Sequence, residues 1–132
     1  MDKKGFLDMV KYTEKNQLGL DFDGVIHKNS KGFHDGTIYD EPLDGAVESV
    51  KYLNKILGYD LVIYTCKANP KRPLVNGKTG IELVWEWLSK YGIKDNVKDV
   101  TYIKPNAVAY IDDKGIRFNN WKDCIEEITR IV

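Results

Sequence analysis

The sequence predicts a three-layer α/β/α domain built on a parallel sheet. Short β-rich runs at 17–22, 60–65, 98–103 and 107–111 alternate with amphipathic helical segments, which is the pattern of a sheet covered by helices. Helix start and stop signals fall between those runs. Polar residues with chemical capability collect at the carboxyl ends of the runs, where open parallel sheets bind their ligands.

The elements follow in order. Residues 2–15 place Phe6, Met9, Val10 and Thr13 on one side of a short N-terminal helix. Gln17 to Phe22 reads as a buried strand leading into Asp23-Gly24. Residues 25–40, with Gly32 and Gly36, suggest a small β-hairpin flap after this first strand. Asp44 is the expected N-cap of the next helix, whose apolar face is Leu43, Val47, Val50, Leu53, Ile56 and Leu57, with Gly58 as its stop. The strand at 60–65 is followed by a loop from Cys66 to Gly80. Thr79 and Glu82 have capping-box spacing before a helix carrying Ile81, Val84, Trp85, Leu88 and Tyr91, and Gly92 ends it. Strands at 98–103 and 107–111 precede a last helix that begins near Asn120-Trp121 and buries Cys124, Ile125 and Ile128. Crossovers between parallel strands are expected to be right-handed.

Composition narrows the function classes. The 132 residues suit one domain, 1–132, and acidic and basic residues balance to a formal net charge of zero, which argues against a surface that grips nucleic acid throughout. The two cysteines, Cys66 and Cys124, form neither a CxxC pair nor a disulfide framework, so a cytoplasmic setting is the default. No apolar run is long enough to span a membrane, and the N-terminus lacks the apolar stretch of a signal peptide.

The strand ends read Asp21-Phe22-Asp23, Thr65-Cys66-Lys67, Lys104-Pro105 and Asp112-Asp113. Asp21 and Asp23 are two apart and project to the same side of an extended backbone. Carboxylates this close repel one another unless a cation sits among them, and Mg²⁺ suits oxygen ligands shared with a phosphate. Thr65 can donate to that phosphate and Lys104 can neutralise it. A carboxylate nucleophile, a second carboxylate, a metal and a lysine together describe phosphoryl transfer through an aspartyl-phosphate.

Leu-Gly-Leu-Asp-Phe-Asp-Gly-Val resembles the first motif of the haloacid-dehalogenase (HAD) superfamily. Val-Ile-Tyr-Thr resembles the second, Lys104 the third and Tyr-Ile-Asp-Asp the fourth, in family order over 18–113. The resemblance implies that Asp21 attacks phosphorus and that Asp23 is the acid and base. It implies that Asp21, Asp112 and the main-chain carbonyl of Asp23 hold Mg²⁺, with Asp113 supporting metal-bound water or Lys104. It also implies a phosphatase, since dehalogenase members lack the second Asp, and a strand order with 17–22 central, flanked by 60–65 and 107–111, and 98–103 outside 60–65. Residues 24–43 and 66–103 leave little room for a cap domain, so a capless member is expected, with an open site or one closed by oligomerisation.

The 66–80 loop carries Lys67, Lys71, Arg72 and Lys78 and no acidic residue. As a basic rim, with Lys67 and Arg72 as substrate contacts, it favours a nucleotide or a nucleic-acid terminal phosphate. Other classes compete. A non-catalytic module could hold Mg²⁺ and a phosphorylated ligand without turnover, and a receiver-like domain also clusters Asp, Thr and Lys on a parallel sheet. Plainer roles are expected for several residues: Cys66 as small buried filler, His27 as a flap residue with an ordinary hydrogen bond, Trp85, Trp87 and Trp121 in packing, and Arg117 paired with an acidic helix residue.

Overall fold

The computed structural model describes residues 16–112 and 116–131; the helix expected over 2–15 lies outside them. The sheet contains β1 (Gln17–Asp21), β2 (Asp60–Tyr64), β3 (Asp99–Thr101), β4 (Ala109–Asp112) and β5 (Ile116–Arg117), in the order β3-β2-β1-β4-β5. β1 pairs in parallel with β2 and with β4, and β3 lies parallel beside β2. This is the order expected for the four strands. The two-residue β5, which pairs with β4, has no clear signal in the sequence.

Three α-helices accompany the sheet: α1 (Ala46–Lys51), α2 (Gly80–Lys90) and α3 (Trp121–Ile131). One face of the sheet presents Leu18, Leu20, Leu61, Ile63, Val100 and Ile111. These share a single core with Val50 and Leu53, with Val84, Trp87 and Leu88, and with Trp121, Cys124 and Ile128. Strand alternation places Gly19, Asp21, Val62, Tyr64, Tyr110 and Asp112 on the opposite face. The described residues therefore show one helical layer on the sheet, where three layers are expected. Among them, no helix is long and apolar enough to cross a membrane.

Several local expectations are met with their capping chemistry. Thr79 and Glu82 form a reciprocal capping box at the start of α2. At its end Gly92 adopts a φ of 74°, and Ile93 N–H reaches back to the Leu88 carbonyl, closing a Schellman turn. Asn120 caps α3 by accepting from Asp123 N–H at 2.9 Å.

Other expectations are corrected. Asp44 is not the cap of α1: Gly45 takes that place with φ 81° and no side-chain cap bond, and Asp44 is exposed. α1 continues as a π-helical turn over Tyr52–Ile56, and its wider i to i+5 spacing keeps Leu53 and Leu57 inward while Ile56 turns out to solvent. On α2, Trp87 is buried and Ile81 faces outward. The flap at 24–43 holds no β-hairpin. Gly24, Asn29, Gly32, His34 and Gly36 all have positive φ, which breaks extended backbone, so only isolated bridges at Asp23–His27 and His27–Pro42 form. Its ends are pinned by two indole N–H groups: Trp121 donates to the Val25 carbonyl and Trp87 to the Asp40 carbonyl, each at 2.9 Å.

α2 presses its first residue onto the turn that follows β2. A Cβ on Gly80 would lie 1.5 Å from the Lys67 carbonyl oxygen, a backbone atom that cannot step aside. Helix propensity favours alanine there by about 1 kcal/mol, but the clash is the larger effect. Gly80→Ala is therefore expected to destabilise the fold by roughly 1–3 kcal/mol, read as a lower urea midpoint. An unchanged or raised midpoint would show that α2 does not seat on Lys67.

Candidate active site

The parallel register gathers the strand ends. Asp21, last residue of β1, pairs with Tyr64, last of β2, and Tyr64 pairs with Thr101 of β3. On the other side Leu20 pairs with Ile111, so Asp112 at the end of β4 stands level with Asp21. Asp21 Oδ1 accepts from Phe22 N–H at 2.8 Å.

Asp23 follows one residue beyond the strand. Its Oδ1 lies 2.9 Å from His27 Nδ1 and its Oδ2 2.9 Å from Lys67 Nζ. His27 is fully buried, and its Nε2 accepts from Asp40 N–H at 3.1 Å. The Nδ1 therefore carries the hydrogen and donates to Asp23. Burial alone would push the Asp23 carboxyl up. The His27 and Lys67 hydrogen bonds, with the Lys67 charge, overcome this and hold it below its ordinary 3.8. Asp23 is thus held as a carboxylate.

Lys67 is not on a rim. Its side chain is 6% exposed and turns inward from the 3₁₀ turn Cys66–Ala68. Thr65, itself buried, caps that turn by accepting from Lys67 N–H at 3.2 Å. That bond uses an oxygen lone pair, so the hydroxyl keeps its donor. Cys66, expected to be buried filler, is exposed, because the turn that directs Lys67 inward directs its neighbour out. The buried Cys124 has its thiol pushed up to about 12 by burial and by the nearby Glu127, so it stays protonated.

Asp112 is buried, and its Oδ2 takes both the Tyr64 hydroxyl and Lys104 Nζ, the latter at 3.1 Å. The Lys104 ammonium also sits 4.2 Å from the centroid of the Tyr110 ring. The rings of Tyr64 and Tyr110 close over Gly19, where a Cβ would come within 2.7 Å of Tyr110 Cδ1. The structure thus brings Asp21, Asp23, Thr65, Lys67, Lys104 and Asp112 to one edge. Asp113 lies outside the described residues. Arg117 falls in β5 opposite Asp112, and its side chain is likewise outside them. Among the described residues, no group of three or more His, Cys, Asp or Glu side chains is placed to hold a metal ion. Asp23 and Asp112 each meet a lysine.

Sequence reasoning gave His27 an ordinary flap hydrogen bond without naming Asp23 as its partner, and it gave Tyr64 no role of its own. His27 bears on Asp23, and its i, i+4 spacing from Asp23 was the available signal. Tyr64 bears on Asp112, and its only signal was its place as the last residue of a strand beside β1. Of the remaining basic-loop residues, Lys78 pairs with Glu86 at 2.5 Å, and Arg72 lies over the Phe33 ring at 4.8 Å.

The Asp23 cluster has a pH signature. Its carboxyl binds its proton less readily in the folded chain than in the unfolded one, so its stabilising contribution is present above about pH 4 and is lost as pH falls through the lower folded value. In Lys67→Met the largest opposing influence, burial, is met by His27 alone. The Asp23 titration, followed by carboxyl carbon NMR, is expected to move upward, and the fall in urea stability from pH 5 to pH 3 should be shallower than in the native protein. An unmoved titration would mean that Lys67 does not hold Asp23.

No protein-family model, no curated protein and no solved structure matches the chain.

Proposed function

We propose that the chain is a phosphomonoester hydrolase of the HAD type, Mg²⁺-dependent and working through an aspartyl-phosphate on Asp21. One observation carries this reading: two carboxylates that differ in environment, Asp21 and Asp23, stand at the end of a central parallel strand, with a hydroxyl from the next strand end and a lysine paired to the carboxylate beyond. In this reading an Asp21 oxygen attacks phosphorus, the bond to the leaving oxygen breaks, and that oxygen takes a proton from Asp23. Asp23 then takes a proton from water, the water oxygen attacks phosphorus, and the aspartyl bond breaks to release phosphate. The carboxylate form in which His27 and Lys67 hold Asp23 is the one the second step uses. For the first step, an arriving phosphate raises the proton affinity of a carboxylate beside it. Thr65 donates to the phosphoryl oxygens, and Lys104 offsets their charge.

The donor set fits Mg²⁺ in kind. Asp21 and Asp112 offer neighbouring carboxylates and Asp23 a main-chain carbonyl, all hard oxygens. The ion would neutralise charge on the phosphoryl group. The second reading, a phosphate-binding module without turnover, draws on the ion pairs that close Asp23 and Asp112.

A panel of phosphomonoesters assayed with Mg²⁺ and with EDTA separates the two. Hydrolysis is expected with Mg²⁺ and should fall to background with EDTA. Asp21→Asn should also fall to background, because no aspartyl-phosphate can form. Asp23→Asn should lose about 10²–10⁴-fold, and less on p-nitrophenyl phosphate, whose leaving group needs little protonation. Native turnover by Asp21→Asn would sink the hydrolase reading, and phosphate binding without any turnover would establish the module.

A further inference from the structure

A pocket of about 230 Å³ opens between the flap and the 66–80 loop, at the start of α2. It adjoins the site through Lys67, which lines the pocket and whose ammonium meets Asp23. Ligand pockets for drug-sized molecules run to about 300–1,000 Å³, so this one suits a single ring system.

Its lining is specific. Phe33 is 60% exposed, although an aromatic ring of this size is ordinarily buried, and the Arg72 guanidinium lies over it. Leu74 and Val75 add apolar wall from the loop and Ile38 from the flap. The charges balance. Lys67 is matched by Asp23, and Arg72 shares the lining with Asp35, whose carboxyl is held below its ordinary value chiefly by hydrogen bonds from Thr37. A balanced, half-apolar pocket with an exposed aromatic platform does not fit a polyanion. It fits a neutral planar ring, with Asp35 as acceptor for a ring amino group.

We propose that this pocket seats the base of a nucleoside monophosphate, whose phosphate lies at the Asp21 edge. The proposal rests on the hydrolase reading for the placement of that phosphate. Phe33 and the Arg72 guanidinium stacked on it supply a planar wall for the base, and the flap sets the width of the slot. A single nucleotide is the substrate class, since the pocket is a local slot and not a groove that tracks a strand.

The experiment compares adenosine 5′-monophosphate, guanosine 5′-monophosphate, glycerol phosphate and a 5′-phosphorylated oligonucleotide on the native chain and on Phe33→Ala and Arg72→Ala. Neither residue belongs to the Asp21 edge, and Phe33 is too exposed for its truncation to unfold the chain. Loss of one stacked base is expected to lower kcat/KM for the mononucleotides at least about fivefold while leaving glycerol phosphate unchanged. Equal effects on both substrate types, or none on either, would overturn the proposal, as would better turnover of the oligonucleotide than of the mononucleotides. Adenosine 5′-monophosphate binding followed by NMR, without regard to turnover, separates the two ideas. Perturbed signals at Val75 and Leu83 that vanish in Phe33→Ala support the pocket even if no ester is hydrolysed. Absence of those perturbations overturns it even if hydrolysis is found.

Discussion

The ion pair between Asp23 and Lys67 is the constraint on which the rest of the site depends. An ammonium that is 6% exposed needs a partner within hydrogen-bond reach, and Asp23 at 2.9 Å is that partner. To reach it, the chain after β2 must curl inward, which it does as a 3₁₀ turn capped by Thr65. α2 can then start close against the Lys67 carbonyl only because Gly80 has no side chain. The other oxygen of Asp23 is taken by His27, which fixes the root of the flap, and Trp121 and Trp87 donate to flap carbonyls on either side. One carboxylate thus joins the ends of two strands, the start of a helix and the flap.

The two faces of the sheet divide the work. The face under the helices is aliphatic and carries the packing energy, with Leu20, Leu61, Ile63 and Ile111 all inaccessible to solvent. The other face carries Gly19, the tyrosine pair and the carboxylates. Asp21 and Asp112 can stand level because each ends a parallel strand in the same register, whereas a slip of one residue would send both to the aliphatic face. Tyr64 and Tyr110 meet edge to face over the gap left by Gly19, and their faces receive the Lys104 ammonium.

Much of this was legible in the sequence, for physical reasons that differ by element. β1, β2 and β4 announce themselves as short apolar runs bounded by polar residues, and their order was expected from the motif resemblance and not from the runs themselves. The ends of α2 are legible because Thr79, Glu82 and Gly92 act locally, within one turn. The start of α1 was misread because Asp44 suits a cap by type, while a left-handed Gly45 takes the position by geometry. Ile56 was misread because periodicity assumes an α-helix and the last turn is π. The basic loop was misread for a different reason. Charge density along a sequence does not tell which lysine turns inward, and Lys67 does so for a carboxylate 44 residues away. β5 is too short to leave a periodic signal.

The charge count at this edge bears on what can bind there. Asp21, Asp23 and Asp112 face two ammoniums, Lys67 and Lys104, and His27 donates as a neutral ring. Among the described residues, Asp23 and Asp112 are thus each paired with a lysine. A phosphate dianion would add two more negative charges in a place already half removed from water, where like charges repel strongly. Lys67 and Lys104 offset that charge only in part, since each is already paired with a carboxylate. A divalent cation arriving with the phosphate returns the edge to its resting charge, and the level pair of Asp21 and Asp112 gives that cation oxygen donors. Under the proposed hydrolase reading the metal is thus needed with the substrate and not before it, so the ion and the phosphate should each strengthen the binding of the other.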